Sequence, residues 1–203
     1  MFVSDGQSNY DRVCADLFAV VRDSGALASL SSLGGRTGAD EAFIAIFGEE
    51  WCIRGDGAYR DGRRLDTIGA ILVARYMLQA GTAERQGTWL PYRDLKDGAQ
   101  FASFIRTHLE DKIAQEFSGR TEALKERIAA LMARPYDGET SADLALVVYP
   151  LPKVPVLCLF WDRDAEFPAS FQFLFDASAP SFLDLECLAA ALQYIYLKIT
   201  EEL

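Results

Sequence analysis

Residues 144–176 read LALVVYPLPKVPVLCLFWDRDAEFPASFQFLFD, and this stretch decides the fold. Two apolar runs, Leu144 to Tyr149 and Val156 to Trp161, flank the proline-rich segment Pro150 to Pro155. Proline excludes helix and removes ladder donors, so the two runs are predicted to be the strands of a hairpin. Phenylalanine then occupies every second position from Phe171 to Phe175, as on one face of a third strand. Consecutive strands of this kind predict an antiparallel sheet.

Upstream segments predict a second group of short strands and two helices. Phe43 to Phe47 and Trp51 to Arg54 are β-type runs separated by a glycine turn, which predicts another hairpin or meander. Tyr10 to Val21 carries apolar residues at helical spacing, whereas Asp66 to Gln79 is apolar nearly all round. We therefore predict an amphipathic N-terminal helix and a buried central helix.

The remaining segments are predicted to be a long loop followed by more helices. Thr82 to Leu95 is predicted to be a loop, and Ser181 with Asp184 resembles a capping box before the last helix. Apolar residues at helical spacing predict three further helices, within residues 101–117, 124–132 and 185–199.

These elements define the predicted fold class. Strands grouped apart from helices indicate an α+β fold, with an antiparallel sheet of hairpins and helices packed mainly on one face. A chain of 203 residues can bury a full hydrophobic core without metal or disulfide support. We predict a single domain over residues 1–203, in which residues 1–40 are a helical N-terminal extension and residues 41–203 are the α+β core.

Composition excludes several classes of function. The chain has 30 acidic and 20 basic side chains and a net charge of −10, which argues against nucleic acid and anionic membrane surfaces as partners. The most apolar window is too short for a membrane span. The four cysteines are far apart and form no C-x-x-C pair, so we expect a reduced, cytoplasmic protein with no metal and no cofactor.

An acidic group follows the predicted hairpin and the third strand. Trp161 is followed by Asp162, Asp164 and Glu166, and Asp176 ends the next strand. The simpler interpretation is a set of charged turns at strand ends. The alternative is a carboxylate cluster that holds a divalent cation, which requires the strand ends to converge.

A second candidate group combines arginine with aromatic residues. Arg75 interrupts the apolar central helix, so it should either reach water or pair with a carboxylate, unless it anchors an anion in a pocket. Trp89, Tyr92 and Arg93 stand close together in the predicted loop. Aromatic residues and arginine concentrate binding energy, so these positions suit a ligand rim or a protein interface, and equally a loop fixed to the core.

An ordered series of motifs resembles a known family. From about Phe43 to the C-terminus the chain is similar to the domain-of-unknown-function family DUF3786, small prokaryotic proteins common in anaerobes. The resemblance implies a common fold and carries no established activity. The motifs are Phe47-Gly48-Glu49-Glu50-Trp51, residues 87–95 (GTWLPYRDL), residues 151–155 (LPKVP), residues 160–168 (FWDRDAEFP) and residues 174–179 (LFDASA).

Two classes of function remain. The first is a non-catalytic accessory module of anaerobic prokaryotic metabolism that binds a small molecule or a partner protein through the Trp89 to Arg93 and Trp161 to Asp176 segments. The second is a small enzyme that uses Asp162, Asp164 and Asp176, with or without a divalent cation, and needs a carboxylate pKa displaced upward. A homo-oligomer remains an open alternative.

Overall fold

The computed structural model describes residues 4–38 and 41–200, with side chains from residue 11 onward. It confirms the α+β fold class, with helices and two antiparallel sheets. The helices are α1 (Ser4–Ser24), α2 (Thr67–Gln79), α3 (Ala99–Ile105), α4 (Asp111–Phe117), α5 (Thr121–Ala129) and α6 (Leu185–Thr200). The strands are β1 (Arg36–Thr37), β2 (Ala42–Ile46), β3 (Glu49–Arg54), β4 (Gly57–Arg60), β5 (Arg63–Arg64), β6 (Trp89–Pro91), β7 (Arg134–Pro135), β8 (Leu144–Leu151), β9 (Val154–Trp161) and β10 (Ser170–Asp176).

The N-terminal sheet is a meander in which each strand pairs with the next, in the order β1-β2-β3-β4-β5. The turns Phe47-Gly48 and Asp61-Gly62 have positive φ at both residues, the conformation that matches the twist of a tight hairpin. The inward side chains of this sheet, Ile44 and Ile53 among them, are buried in the main core. The predicted meander is therefore present, and β1 ties the end of the N-terminal segment to it.

The C-terminal sheet has the order β6-β10-β9-β8-β7. Its first two strands in sequence, β6 and β7, lie at opposite edges, and α3, α4 and α5 connect them. A connection between opposite edges must cross one face of the sheet, so these helices cover that face. The core side chains of β9 and β10 point to this helical face, as the alternation of Phe171, Phe173 and Phe175 predicts.

Prolines shape the β8–β9 hairpin without interrupting it. Val148 pairs with Val156 and Leu151 with Val154, so Tyr149 and Pro150 together face Pro155 across a bulge. The Pro150 carbonyl accepts a hydrogen bond of 3.2 Å from the Phe47 amide and thereby links the two sheets. The predicted hairpin with a proline-rich connection is present, and its turn is Pro152-Lys153.

Helix α2 occupies the centre of the molecule, as its apolar sequence predicts. The Asp66 carboxylate caps its N-terminus by accepting a hydrogen bond of 3.0 Å from the Gly69 amide. Tyr76, wholly buried, donates to the Leu33 carbonyl at 2.8 Å and accepts from the Lys153 amide at 3.2 Å. One phenol thus joins the N-terminal segment, the central helix and the β8–β9 turn.

Three details differ from the sequence-based prediction. Residues 89–91, predicted as loop, form the edge strand β6, because their partner β10 is far away in the sequence. The predicted capping box is absent, since Asp184 itself caps α6 by accepting from the Cys187 amide at 2.8 Å. The N-terminal helix continues beyond both ends of the predicted Tyr10 to Val21 span, and the Tyr10 side chain lies outside the described residues.

Within the part of the chain that the structure describes, no helix combines the length and the apolar character needed to cross a membrane.

Replacing Tyr76 with phenylalanine should destabilise the fold. The Tyr76→Phe variant leaves the Leu33 carbonyl and the Lys153 amide without their phenol partner, which should lower the free energy of unfolding by about 2 kcal/mol in urea titration. The control is Tyr196→Phe, because the Tyr196 phenol makes no hydrogen bond to the described residues. Equal stability of the two variants would contradict this role of Tyr76.

Candidate functional site

Asp162 follows β9 and fixes the junction between α4 and α5. Its carboxylate accepts from the Gly119 amide at 2.6 Å, the Thr121 hydroxyl at 2.8 Å and the Arg163 amide at 2.7 Å. The Gly119 amide is the largest cause that lowers the pKa of Asp162, and the other two donors act in the same direction. This carboxylate is therefore an ionised structural acceptor.

Asp164 and Glu166 belong to the exposed turn between β9 and β10. The Asp164 carboxylate accepts from the amides of Glu166 and Phe167, each at 2.7 Å, and these bonds lower the pKa of Asp164. Glu166 is exposed. The arrangement is a turn stabilised by its own aspartate.

Asp176 is the one wholly buried carboxylate among the described residues. It accepts from the amides of Gln86 (3.0 Å), Gly87 (2.7 Å) and Ser178 (3.0 Å) and from the Ser178 hydroxyl (2.6 Å). Burial raises the pKa of Asp176, but the Ser178 hydroxyl and the three amides outweigh it, so the pKa lies below its ordinary value. The Arg85 Nε atom lies 3.7 Å from the same carboxylate.

The predicted carboxylates lie at opposite ends of the C-terminal sheet. Trp161, just before Asp162, pairs with Ser170, whereas Asp176 pairs with Trp89 at the other end of β10. Six residues of extended strand separate these two ends by about 20 Å. Within residues 11–38 and 41–200, no group of three or more acidic, histidine or cysteine side chains is placed to hold a metal ion.

Arg75, Tyr92 and Arg93 have three different environments. Arg75 is exposed on α2, so its guanidinium reaches water. Arg93 is exposed and lies 3.6 Å from the carboxylate of its neighbour Asp94. Tyr92 is buried and donates a hydrogen bond of 2.7 Å to the Leu185 carbonyl. Burial is the main cause that raises the pKa of Tyr92 to about 12, so this phenol stays protonated and holds its turn to α6.

Glu110, which sequence reasoning did not identify, lies in a π-helical turn between α3 and α4. Its carboxylate accepts a hydrogen bond of 2.8 Å from the Phe173 amide, just beyond the point where β6 stops pairing with β10. Burial raises the pKa of Glu110. Turns of this kind often occur at functional sites, but here the carboxylate completes the edge of the sheet.

Trp89 and Trp161 lie on the face of the C-terminal sheet opposite the helices, which we call the outer face. A small apolar cluster, Val147, Leu157 and Leu159, forms its centre. Half-buried aromatic side chains cover this centre: Trp89, Tyr136, Tyr149 and Trp161. The Trp161 indole donates to the Ser141 hydroxyl at 3.2 Å, and Trp89 packs edge-on against Tyr136.

The outer face ends in a cleft of about 180 Å³, bordered by the β8–β9 turn and by residues 83–85. Its walls are formed by Tyr149, Pro152, Pro155 and Phe182, and its charged groups are Glu84, Arg85 and Lys153. The Lys153 Nζ atom lies 5.7 Å from the Phe182 ring centre, and the Arg85 guanidinium 5.2 Å from that of Trp89. We call this group the cationic cleft.

The backbone around the cationic cleft is held from two sides. Asp176 binds the amides of residues 86 and 87, and the Ala177 amide donates to the Thr88 carbonyl at 2.8 Å. On the other side, Tyr76 binds the Lys153 amide. Gly81 passes so close to Ser181 that a Cβ there would lie 2.1 Å from the Ser181 carbonyl oxygen, so only glycine fits.

Of the predicted site residues, the structure brings only Asp176 and Trp89 beside this cleft. Sequence reasoning missed Arg85 and Lys153 as site residues. Lys153 stood in the LPKVP motif that carries the family resemblance, so a signal was present, whereas Arg85 follows no recognisable pattern. Its position depends on the buried carboxylate of Asp176, which is distant in the sequence.

Residues 27–197 match the family described as "Domain of unknown function (DUF3786)". The chain belongs to this family. The match covers most of the chain and begins before the boundary near Phe43 that the motifs predicted. Comparison with curated proteins and with solved structures finds no match. Membership shows that this chain is related to the other members of the family, but the family description assigns no function. A function therefore has to be argued from the site.

Replacing Asp176 with asparagine should destabilise the protein in a pH-dependent manner. The Asp176→Asn variant turns an amide NH₂ toward backbone donors, which should cost about 3 kcal/mol of unfolding free energy near neutral pH. The pKa of Asp176 is lower in the folded state than the value of about 3.9 typical of unfolded chains. Its stabilisation is therefore complete above that value and is lost as the pH falls through the folded-state pKa.

Urea titrations over a pH series measure this difference, and it should shrink as the pH falls below about 4. The matched control is Asp137→Asn, because that carboxylate is exposed and forms no hydrogen bond or ion pair with the described residues. A difference between wild type and Asp176→Asn that stays constant over the series would contradict the assignment.

Proposed function

We propose that this protein is a non-catalytic binding module that holds a small molecule in the cationic cleft at the end of the outer face. The observation that carries the proposal is that the predicted carboxylates are bound by backbone donors while a lysine in the cleft has no ion pair. Asp162, Asp164 and Asp176 are occupied by backbone donors, whereas Lys153 forms no ion pair with the described residues and lines an open cleft. The groups of this cleft left for contact are therefore Lys153, the aromatic rings and the exposed Glu84.

The carboxylate geometry supports binding over catalysis. A general acid at neutral pH needs a raised carboxylate pKa, and Asp162, Asp164 and Asp176 all have lowered values. The separation of about 20 Å between the two ends of β10 prevents Asp162 and Asp176 from sharing one substrate or cation. No specific observation favours an enzyme that uses these three carboxylates, and the carboxylate with a raised pKa, Glu110, binds the Phe173 amide of the sheet.

The shape of the cleft supports a small ligand. Binding sites combine concave, mostly apolar walls with a few polar groups that orient the ligand, and this cleft has two prolines and two aromatic rings beside its charges. Its volume of about 180 Å³ lies below the range of drug-sized pockets, so it suits a small molecule. A partner protein on the outer face and a role in anaerobic metabolism stay predictions.

Filling the cleft should abolish small-molecule binding without unfolding the protein. Thermal unfolding is followed for the wild type with a panel of small anions, neutral aromatics and polyamines, and at least one compound should raise the melting temperature. The Glu84→Trp variant, which places a bulky ring at the cleft, should lose that shift. Glu126→Trp is the control, because Glu126 is exposed on α5 away from the cleft. A panel without any shift, or equal shifts in both variants, would overturn the proposal.

A further inference from the structure

We propose that the cationic cleft binds a small organic carboxylate, with Arg85 and Lys153 as the groups that hold the anion. This inference rests on the proposed function and names the class of its ligand. The charges, the walls and the volume of the cleft each restrict the chemical class of the ligand.

Arg85 is positioned before any ligand arrives. Its Nε atom faces the buried Asp176 carboxylate at 3.7 Å, and its guanidinium lies over the Trp89 ring. The Asp176 carboxylate is already satisfied by four closer donors, so it does not use the terminal nitrogens of Arg85. Those planar donors match the two oxygens of a carboxylate.

Lys153 supplies a second positive charge from the opposite wall. Its backbone is fixed by the Tyr76 phenol, and its half-buried side chain passes over the Phe182 ring. In the part of the chain that the structure describes, its ammonium has no carboxylate within ion-pair distance. A cation in a cleft without a protein counter-ion is available to an anionic ligand.

The walls and the volume favour an organic acid over an inorganic anion. Tyr149, Pro152, Pro155 and Phe182 present carbon surface that a hydrated ion such as phosphate does not use. A short apolar or aromatic body attached to one carboxylate covers this surface and stays within about 180 Å³. Benzoate represents this class and is the probe.

Glu84 limits the negative charge that the ligand can carry. It lines the same cleft, and the ionised Asp176 carboxylate lies 3.7 Å from the Arg85 Nε atom, so two cations already face two anions there. Each further negative charge on a ligand would be repelled by these two carboxylates, so a monocarboxylate is favoured over a polyanion. Removing the Glu84 charge should therefore strengthen anion binding, whereas removing the Lys153 charge should weaken it.

The test is isothermal titration of the full chain with benzoate, benzamide and inorganic phosphate. Benzoate should bind to the wild type, while its neutral isostere benzamide and phosphate bind at least about tenfold more weakly. The Lys153→Met variant keeps the stem over Phe182 and should lose about tenfold in benzoate affinity. The Glu84→Gln variant should gain about threefold, and Lys125→Met, on the exposed face of α5, should change nothing.

The outcomes separate this inference from the proposed function. The carboxylate assignment would be overturned if benzamide bound as tightly as benzoate. It would also be overturned if neither Lys153→Met nor Glu84→Gln changed the affinity for benzoate. Either result would leave the proposed small-molecule site in place. Phosphate that binds as tightly as benzoate would overturn the organic part of the assignment. No binding of benzoate overturns the inference as well, and a shift with another compound of the thermal panel would then preserve the proposed function.

Discussion

The buried carboxylate of Asp176 is the constraint on which the candidate site depends. A charged group without solvent must be satisfied by donors, and the chain supplies four of them from residues on both sides of the β6–β10 pair. The donors at residues 86 and 87 fix the path of the chain before β6. Trp89 and Arg85 consequently reach the outer face together, at the end where the cleft lies.

The two faces of the C-terminal sheet follow from its connectivity. Since α3 to α5 join the two edge strands, the helices crowd one face and the large core forms there. Among the described residues, aromatic side chains and the segment before β8, rather than helices, cover the apolar centre of the outer face. A thin cover of this kind leaves the edges of the face accessible, and the cleft forms at one of these edges.

Local sequence was a good guide to the strands and a poor guide to the site. The alternation from Phe171 to Phe175 and the proline-bounded runs of β8 and β9 predicted the sheet, because burial on one face repeats at every second residue. Strand β6 was not predicted, because three residues are too few to show the alternation of a strand and because its partner β10 is distant in the sequence. The sequence also does not show which donors a carboxylate will bind. Asp162 and Asp164 look alike in sequence, yet Asp162 binds the α4–α5 junction and Asp164 binds its own turn.

Net charge and local charge act at different ranges in this protein. The charge of −10 repels anions at long range, but salt screens such fields beyond about 10 Å. Inside the cationic cleft the nearest charges are Arg85, Lys153 and Glu84, and one further anion, Asp176, is already surrounded by donors. A negatively charged chain repels large polyanions, which must bring many charges close to it, more strongly than it repels a single small anion. A net charge of −10 is therefore compatible with the binding of a small acid in the cleft.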